Sequence, residues 1–193
     1  MDIIEEQPTR YHAVSIFLHW FMLVQIMVVY GLIELREWIP KDTGLRPEMK
    51  NWHAIIGLSV LVLVVIRLLM RVLTPTPAIK PPPHLLQLRI GQTAHMIFYL
   101  FMIAMPLLGW LYLNAIGKPI PLFGFDLPAL IGADKSLARD FKELHEVIGR
   151  GAYFLIALHA AAALHHHYFL RDDTLVRMMP WVKPRHPIPL DER

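Results

Sequence analysis

The chain has 193 residues, of which 55% are hydrophobic and only 18% are charged, with a formal net charge of +3. A soluble domain would have about 25% charged residues, so the composition excludes an ordinary soluble domain, and so small a charge indicates no nucleic-acid partner. Cysteine is absent, which excludes disulfides, thiolate metal sites and covalent haem attachment through a C-x-x-C-H motif.

Four apolar stretches have roughly the length that a helix needs to cross a lipid bilayer, about 20 residues. We predict membrane helices over residues 14–34, 53–73, 94–116 and 140–170. Because these helices occupy most of the chain, we expect a single all-α domain, an integral membrane four-helix bundle. The first ten residues, MDIIEEQPTR, are acidic and lack an apolar core, so we expect the first helix to be retained rather than removed as a signal peptide.

The segments between the predicted helices are polar or rich in proline. The stretch TPTPAIKPPPH, after the second helix, is too rich in proline to be helical and should form a stiff connector at one membrane surface. The tail after the fourth helix is polar and interrupted by prolines. Four spans place both termini on one side, and a small excess of lysine and arginine on that side predicts that the termini are cytoplasmic.

Four histidines lie within or at the ends of the predicted helices, where an ionisable side chain is costly and indicates function. His145 and His159 are fourteen residues apart on the fourth helix. They are therefore about 21 Å apart along the helix axis and within about 40° of each other around it. His19 on the first helix matches the depth of His159, and His53 on the second helix matches the depth of His145.

Small residues follow three of these histidines at a spacing of one helical turn, where a flat ring bound to the histidine would lie against the helix. They are Gly57 after His53, Gly149 after His145 and Ala163 after His159. Small residues also line ordinary contacts between membrane helices, so packing alone remains an alternative for any one of them. His19 is followed by Leu23, so a ring bound there must lean the other way or tolerate a larger neighbour.

Two histidines at each depth favour a planar macrocycle over other metal sites. A structural zinc site takes four close ligands, and a di-iron bundle needs Glu-x-x-His pairs, which are absent from this sequence. We therefore predict two non-covalent haem b groups between the helices, one bound by His19 and His159 and the other by His53 and His145. With both axial positions filled, the iron has no open position, and the expected chemistry is one-electron transfer.

Each predicted ligand lies in a distinctive motif. The motifs are SIFLHW around His19, NWHAIIG around His53, LHEVIG around His145 and ALHAAAALHHHYF around His159, the last followed by DDTLVRMMP. Over almost the whole chain they resemble the bacterial cytochrome b-561 family of small di-haem membrane proteins. The resemblance implies the same four axial ligands and a bacterial inner-membrane location with cytoplasmic termini. Because some members are superoxide oxidases, it also implies an enzyme that passes electrons from superoxide to ubiquinone.

His166 is a candidate for the quinone site. It lies seven residues after His159 on the same helix face, and the resemblance associates this position with quinone binding. A histidine there could hydrogen-bond a quinone carbonyl and donate a proton on reduction. The alternative is a histidine solvated by lipid headgroups, which fits His165 and His167 better.

Further side chains are candidates for the haem periphery, since a propionate in a membrane needs a cation or hydrogen-bond donors. Arg150 is predicted to bind a propionate. Arg67 and Arg71 are candidates for the same role, with snorkelling to the headgroups as the alternative. His95 has no partner left at its depth and is expected to hydrogen-bond a propionate or a backbone group.

Three functions remain open from the sequence. The first is the superoxide:ubiquinone oxidoreductase, and the second is an electron-transfer subunit of a larger redox complex, fed by a partner protein. The third is a haem-free membrane protein whose histidines bind or move metal ions. An anion such as superoxide requires a positive approach, but the loops on the side opposite the termini carry about as many carboxylates as cations.

Overall fold

The structure is a computed structural model that describes residues 8–122, 125–179 and 181. Most of the described chain is helical, in α1 (Ala13–Arg36), α2 (Leu45–Leu73), α3 (Leu85–Ala115) and α4 (Lys135–His165). All four helices are long and apolar enough to cross a membrane. The predicted all-α membrane bundle of four helices is therefore confirmed.

Short elements complete the described chain. Between α3 and α4, strands β1 (Pro121–Leu122) and β2 (Phe125–Asp126) pair antiparallel. After α4, the chain continues as five residues of π-helix, His166–Leu170, and later forms a 3-10 turn, Val176–Met178. Arg171 separates the two with a left-handed backbone, φ 55°, which ends the helix and turns the chain back toward the bundle.

Three helices begin earlier than the apolar pattern predicts. α2 begins at Leu45 rather than residue 53, α3 at Leu85 rather than residue 94, and α4 at Lys135 rather than residue 140. Their first turns are polar or mixed, so a search for apolar windows leaves them out. Pro47 does not prevent the early start of α2, because proline is tolerated in the first helical turn, where its missing N–H has no helical partner.

Side-chain caps account for two of these early starts. His84 caps α3: its Nδ1 accepts from the amide of Leu86, and its own amide donates to Gln87 Oε1 at 3.0 Å. Asp134 caps α4 and accepts hydrogen bonds from the first free amides of that helix. Such caps stabilise a helix end by about 0.5–2 kcal/mol.

Consecutive helices pack directly against each other, α1 on α2, α2 on α3 and α3 on α4. A small apolar core lies among the first three helices, formed by Met22, Val60, Val64 and Met102. Many large apolar side chains instead point outward, as expected where lipid replaces water around the bundle. Examples are Val24, Phe154 and Leu158.

The chain ends of the bundle meet on one side. Trp20 Nε1 donates to the carbonyl of Met178 at 2.7 Å, and the amide of Lys80 donates to Asp173 Oδ1 at 2.9 Å. These bonds join the start of α1, the α2–α3 connection and the segment after α4. We call this the terminal side. The opposite side carries the α1–α2 and α3–α4 loops.

Candidate functional site

The structure brings together both histidine pairs expected from the sequence. The ring centroids of His19 and His159 are 6.3 Å apart, and those of His53 and His145 are 6.2 Å apart. Two imidazoles on opposite sides of one metal ion should have centroids about 6.3 Å apart, since each metal–nitrogen bond is about 2.0 Å and each nitrogen is roughly 1.15 Å from its ring centre. Both pairs therefore have the spacing of ligands that share one metal ion.

The two pairs lie at different depths on the common helix α4. His145 and His159 are separated by about 21 Å along its axis. The terminal-side pair, His19 and His159, joins α1 to α4. The opposite-side pair, His53 and His145, joins α2 to α4. Each pair thus spans the bundle between helices that are not neighbours in the chain.

Hydrogen bonding prepares the opposite-side pair for ligation. His53 Nδ1 lies 2.9 Å from the carbonyl oxygen of Val29. Because a carbonyl only accepts, this nitrogen carries the hydrogen, and the Nε2 lone pair is left for a metal. The Nδ1 atom of His145 is buried and has no hydrogen-bond partner of good geometry among the described residues.

The terminal-side pair has a different set of neighbours. Arg67 on α2 places Nη2 3.4 Å from His19 Nδ1 and donates from Nη1 to the carbonyl of Ser15 at 3.1 Å. His95 on α3 lies with its ring centroid 5.8 Å from that of His159. His95 therefore lies beside the terminal-side pair, and its expected hydrogen bond to a propionate or a backbone group stays a prediction.

The small residues near the histidines serve two purposes. A Cβ added at Gly57 would meet no heavy atom within 4 Å, so α2 leaves room for a flat group one turn from His53. Gly149 differs, because a Cβ there would lie 3.4 Å from Cε of Met105 on α3. Close approach of α3 and α4 explains Gly149, and this is the packing role that small residues often have in membranes.

A tyrosine cluster joins α1 and α4 between the two depths. Tyr30 donates its hydroxyl hydrogen to the carbonyl of Gly149 at 2.7 Å, and Tyr153 donates to Glu34 Oε1 at 2.7 Å. The two tyrosine ring centroids are 4.6 Å apart. This cluster was not predicted. The sequence indicated it only by placing Glu34, Tyr30 and Tyr153 inside the predicted membrane helices.

His166 lies beside a buried carboxylate on the terminal side. Its Nδ1 is 2.5 Å from Oδ2 of Asp172, whose side chain is 5% exposed. The other carboxylate oxygen, Oδ1, accepts from the amide of Thr174 at 2.9 Å. Burial works to raise the pKa of Asp172, but the hydrogen bonds from His166 and Thr174 outweigh it and hold the pKa below its ordinary value. Asp172 was missed from the sequence, where it reads as part of a polar tail.

The segment that follows is docked on the bundle rather than extended into water. Arg177 is buried and donates to the carbonyl of Pro77 in the α2–α3 connection. Its Nε lies 3.3 Å from Oδ1 of Asp173, and its guanidinium carbon is 5.6 Å from the ring centre of Tyr11. The part of the tail that the structure describes is therefore a packed element; the prolines beyond it lie outside the described residues.

Arg150 is exposed, and among the described residues it has no hydrogen-bond or ion-pair partner. Five residues after His145, it lies about 140° around α4 from that ligand candidate. The propionate role predicted for Arg150 gains no support from its position and stays a prediction.

A basic cavity of about 410 Å³ lies on the opposite side of the bundle, and we call it the basic basin. Its lining residues are Arg36, Lys41, Arg46, Pro47, Lys50, Asn51 and Lys118. Glu37 pairs with the two arginines at 3.2 and 3.0 Å, whereas the three lysines have no ion-pair partner among the described residues. The fold thus gathers cations into one basin, although the loops of this side carry about as many carboxylates as cations in the sequence.

Comparison with known proteins agrees with this architecture. The family model described as prokaryotic cytochrome b561 matches residues 10–181. Cytochrome b561 homolog 1 of Escherichia coli strain K12 is 36% identical over 171 residues, which cover 89% of this chain and 97% of that protein. The probable superoxide oxidase CybB of Yersinia pestis is 37% identical over 171 residues, which cover 89% of this chain and 96% of that protein.

A second relative from Escherichia coli strain K12, cytochrome b561 homolog 2, is 33% identical over 177 residues, which cover 89% of this chain and 92% of that protein. The family match includes all four helices, and each relative matches 89% of this chain. The chain therefore belongs to the prokaryotic cytochrome b561 family, as a bacterial multi-pass membrane protein that binds haem b and transfers electrons.

Proposed function

We propose that this cytochrome carries two haem b groups and moves electrons across the membrane from superoxide to ubiquinone. The observation that carries the proposal is the pair of imidazole couples, 6.3 and 6.2 Å between ring centroids, at two depths of one bundle. Haem held by these histidines would supply reversible one-electron chemistry. We assign the terminal side to the cytoplasm and the opposite side to the periplasm, as the lysine and arginine distribution favours.

The ligands that we assign are His19 with His159 and His53 with His145. His95 is the competing partner for His159, because their ring centroids are 5.8 Å apart. However, His95 belongs to α3, which packs directly on α4. We therefore place His95 beside the haem edge rather than on the iron.

The basic basin supports an anionic electron donor. Three unpaired lysines and two arginines raise the local concentration of a small anion, and Lys50 lies one turn before His53 on α2. Superoxide can give up its electron at a haem edge without binding iron. The name of the Yersinia pestis relative, probable superoxide oxidase, agrees with this assignment.

The contact between His166 and Asp172 supports quinone reduction on the terminal side. A carboxylate on Nδ1 fixes the tautomer and orientation of the ring, which leaves Nε2 to exchange a proton with a bound quinone. Two superoxide anions release two electrons and leave as two O₂ molecules. Those electrons and two protons convert one ubiquinone to ubiquinol, and His166 is the residue that we assign to proton delivery.

The test is turnover by the purified protein. An absorption spectrum should give two low-spin b-type haems per chain, superoxide should reduce them, and a soluble quinone should then reoxidise them continuously. Lys50→Gln should slow reduction by superoxide several-fold, whereas Lys135→Gln, which removes a cation outside the basin, should not. If quinone reoxidises haems that have been reduced chemically but superoxide does not reduce them, the result would instead favour a cytochrome subunit that a partner protein supplies with electrons.

A further inference from the structure

α1 and α4 have little direct packing between them, although α4 carries a ligand candidate of each pair. The helices pack mainly as consecutive neighbours, α1 on α2, α2 on α3 and α3 on α4. Two side-chain hydrogen bonds nevertheless join α1 to α4. Tyr30 on α1 donates to the carbonyl of Gly149, and Tyr153 on α4 donates to Glu34, each at 2.7 Å. These bonds supply a tie between the two helices that backbone packing does not.

Tyr30 and Gly149 lie at the same level of the bundle. Tyr30 is eleven residues after His19, and Gly149 is ten residues before His159, so each lies about 15–17 Å from the terminal-side pair. Helical side chains lean toward the N-terminus of their own helix, and α1 and α4 run in opposite directions, so Tyr30 and Tyr153 lean toward each other. Their ring centroids are 4.6 Å apart, and each hydroxyl reaches a partner on the other helix.

Two adjacent residues of α1 contact the two helices that carry the opposite-side pair. The carbonyl of Val29 accepts from Nδ1 of His53 at 2.9 Å, which ties α1 to the ligand candidate on α2. Tyr30 ties α1 to Gly149, which follows His145 by one helical turn on α4. α1 thus contributes no ligand to this pair but contacts both helices that do.

The turn of α4 that carries His145 is bounded on another side by α3. A Cβ added at Gly109 would lie 3.5 Å from Cε1 of His145, and one added at Gly149 would lie 3.4 Å from Cε of Met105. α3 therefore limits how far this turn can move in its direction. The hydroxyl of Tyr30 resists movement of the same turn away from α1.

We propose that Tyr30 is a positioning residue for the opposite-side haem site. Its bond to Gly149 holds His145 at the distance from His53 at which both imidazoles can share one iron. The inference rests on the ligand pairs of the proposed function. Tyr30 acts through the backbone of α4 and takes no part in electron or proton transfer.

Tyr30→Phe removes this bond with little other change. The carbonyl of Gly149 keeps its helical hydrogen bond from the amide of Tyr153, four residues along, so no acceptor is left without a donor. The phenylalanine ring can keep the contact with the ring of Tyr153. The variant should therefore fold with two haems, and the loss of one hydrogen bond is enough to change a rate several-fold.

The experiment measures the release of haem from the purified two-haem protein to an excess of apomyoglobin, which reports the haem it takes up by its own spectrum. Tyr30→Phe should release one haem about fivefold faster than the wild type and the other at the wild-type rate. Tyr153→Phe should have a smaller effect, because its partner Glu34 is exposed. Tyr112→Phe is the matched control, since it removes the same atom from a half-buried tyrosine of α3, and it should change neither rate.

Ligand variants assign the faster release to one level of the bundle. In His159→Ala the remaining haem would be the opposite-side one, and adding Tyr30→Phe should speed its release. In His145→Ala the remaining haem would be the terminal-side one, and adding Tyr30→Phe should leave its release unchanged. Electron paramagnetic resonance gives a second readout, because the g values of a low-spin haem depend on the angle between its two imidazole planes. Tyr30→Phe should shift the signal of one haem only.

Three results would overturn the inference. They are unchanged release of both haems in Tyr30→Phe, an equal acceleration of both, or faster release of the haem that remains in His145→Ala. An equal acceleration in Tyr112→Phe would also overturn it, because it would show a general loosening of the bundle. A wild-type protein with fewer than two haems would instead contradict the proposed function, so the two failures are distinguishable.

Discussion

Nδ1 of His166 and Oδ2 of Asp172 lie 2.5 Å apart, and this contact ties the end of α4 to the segment that folds back beneath the bundle. The amide of Asp172 also donates to the carbonyl of His166, at 3.2 Å. A buried carboxylate against an imidazole fixes both the orientation of the ring and the nitrogen that carries its hydrogen. Nε2 of His166 is therefore available to exchange a proton with a quinone bound beside it.

Asp172→Asn should slow quinone reduction while leaving reduction of the haems by superoxide unchanged. The substitution removes a charge-assisted hydrogen bond, worth about 1.5–3 kcal/mol, that holds the ring of His166 in place. The measurement compares ubiquinol formation with the rate of haem reduction in the same preparation. Asp173→Asn is the control, because Asp173 pairs with Arg177 instead. An equal loss of ubiquinol formation in both variants would show that Asp172 only holds the segment after α4 against the bundle.

The stability that Asp172 contributes should depend on pH. The pKa of this carboxyl is lower in the folded protein than its ordinary value of 3.8, because hydrogen bonds from His166 and Thr174 outweigh the effect of burial. A depressed pKa stabilises the fold at pH values above 3.8, and the contribution is lost as pH falls through the folded pKa. Melting temperatures of wild type and Asp172→Asn should therefore differ at pH 6, and the difference should shrink as pH falls below 3.8. A difference that does not shrink on acidification would contradict the assignment.

Removal of either α4 ligand should remove one haem. His145→Ala and His159→Ala should each reduce the haem content from two per chain to about one, since a single remaining imidazole holds a non-covalent haem weakly. His84→Ala, which changes only the cap of α3, should keep both. Full haem content in His159→Ala together with a loss in His95→Ala would show that α3 supplies the terminal-side ligand.

A large side chain at Gly57 should exclude the opposite-side haem without disrupting the bundle. No heavy atom lies within 4 Å of a Cβ added there, so the helices can accommodate the new side chain, but it occupies the face one turn from His53. Gly57→Leu should keep its helical circular dichroism and lose about one haem. Gly151→Leu is the control, because Gly151 is equally free of close neighbours and is exposed. Two haems retained in Gly57→Leu would place the macrocycle on another face of α2.

The pairing of the ligand candidates was predictable because it depends on helix geometry alone. A rise of about 1.5 Å and a turn of about 100° per residue set the depth and face of His145 and His159 on one helix. Apolar length set the four spans, and the alternation of direction from one span to the next then matched His19 and His53 to their depths. The polar or mixed first turns of α2, α3 and α4 escaped this reasoning because they lie outside the apolar pattern, and those of α3 and α4 depend on side-chain caps.

The sequence by itself thus determined the spans and the level of each histidine, since both follow from local periodicity and from the thickness of the bilayer. Only the tertiary structure decided which side chains surround those levels. Asp172 beside His166, Arg67 beside His19 and the lysines gathered in the basic basin are contacts between different segments of the chain. Such contacts depend on how each helix is rotated about its axis and on where the chain turns back, and a linear pattern of residues does not specify either.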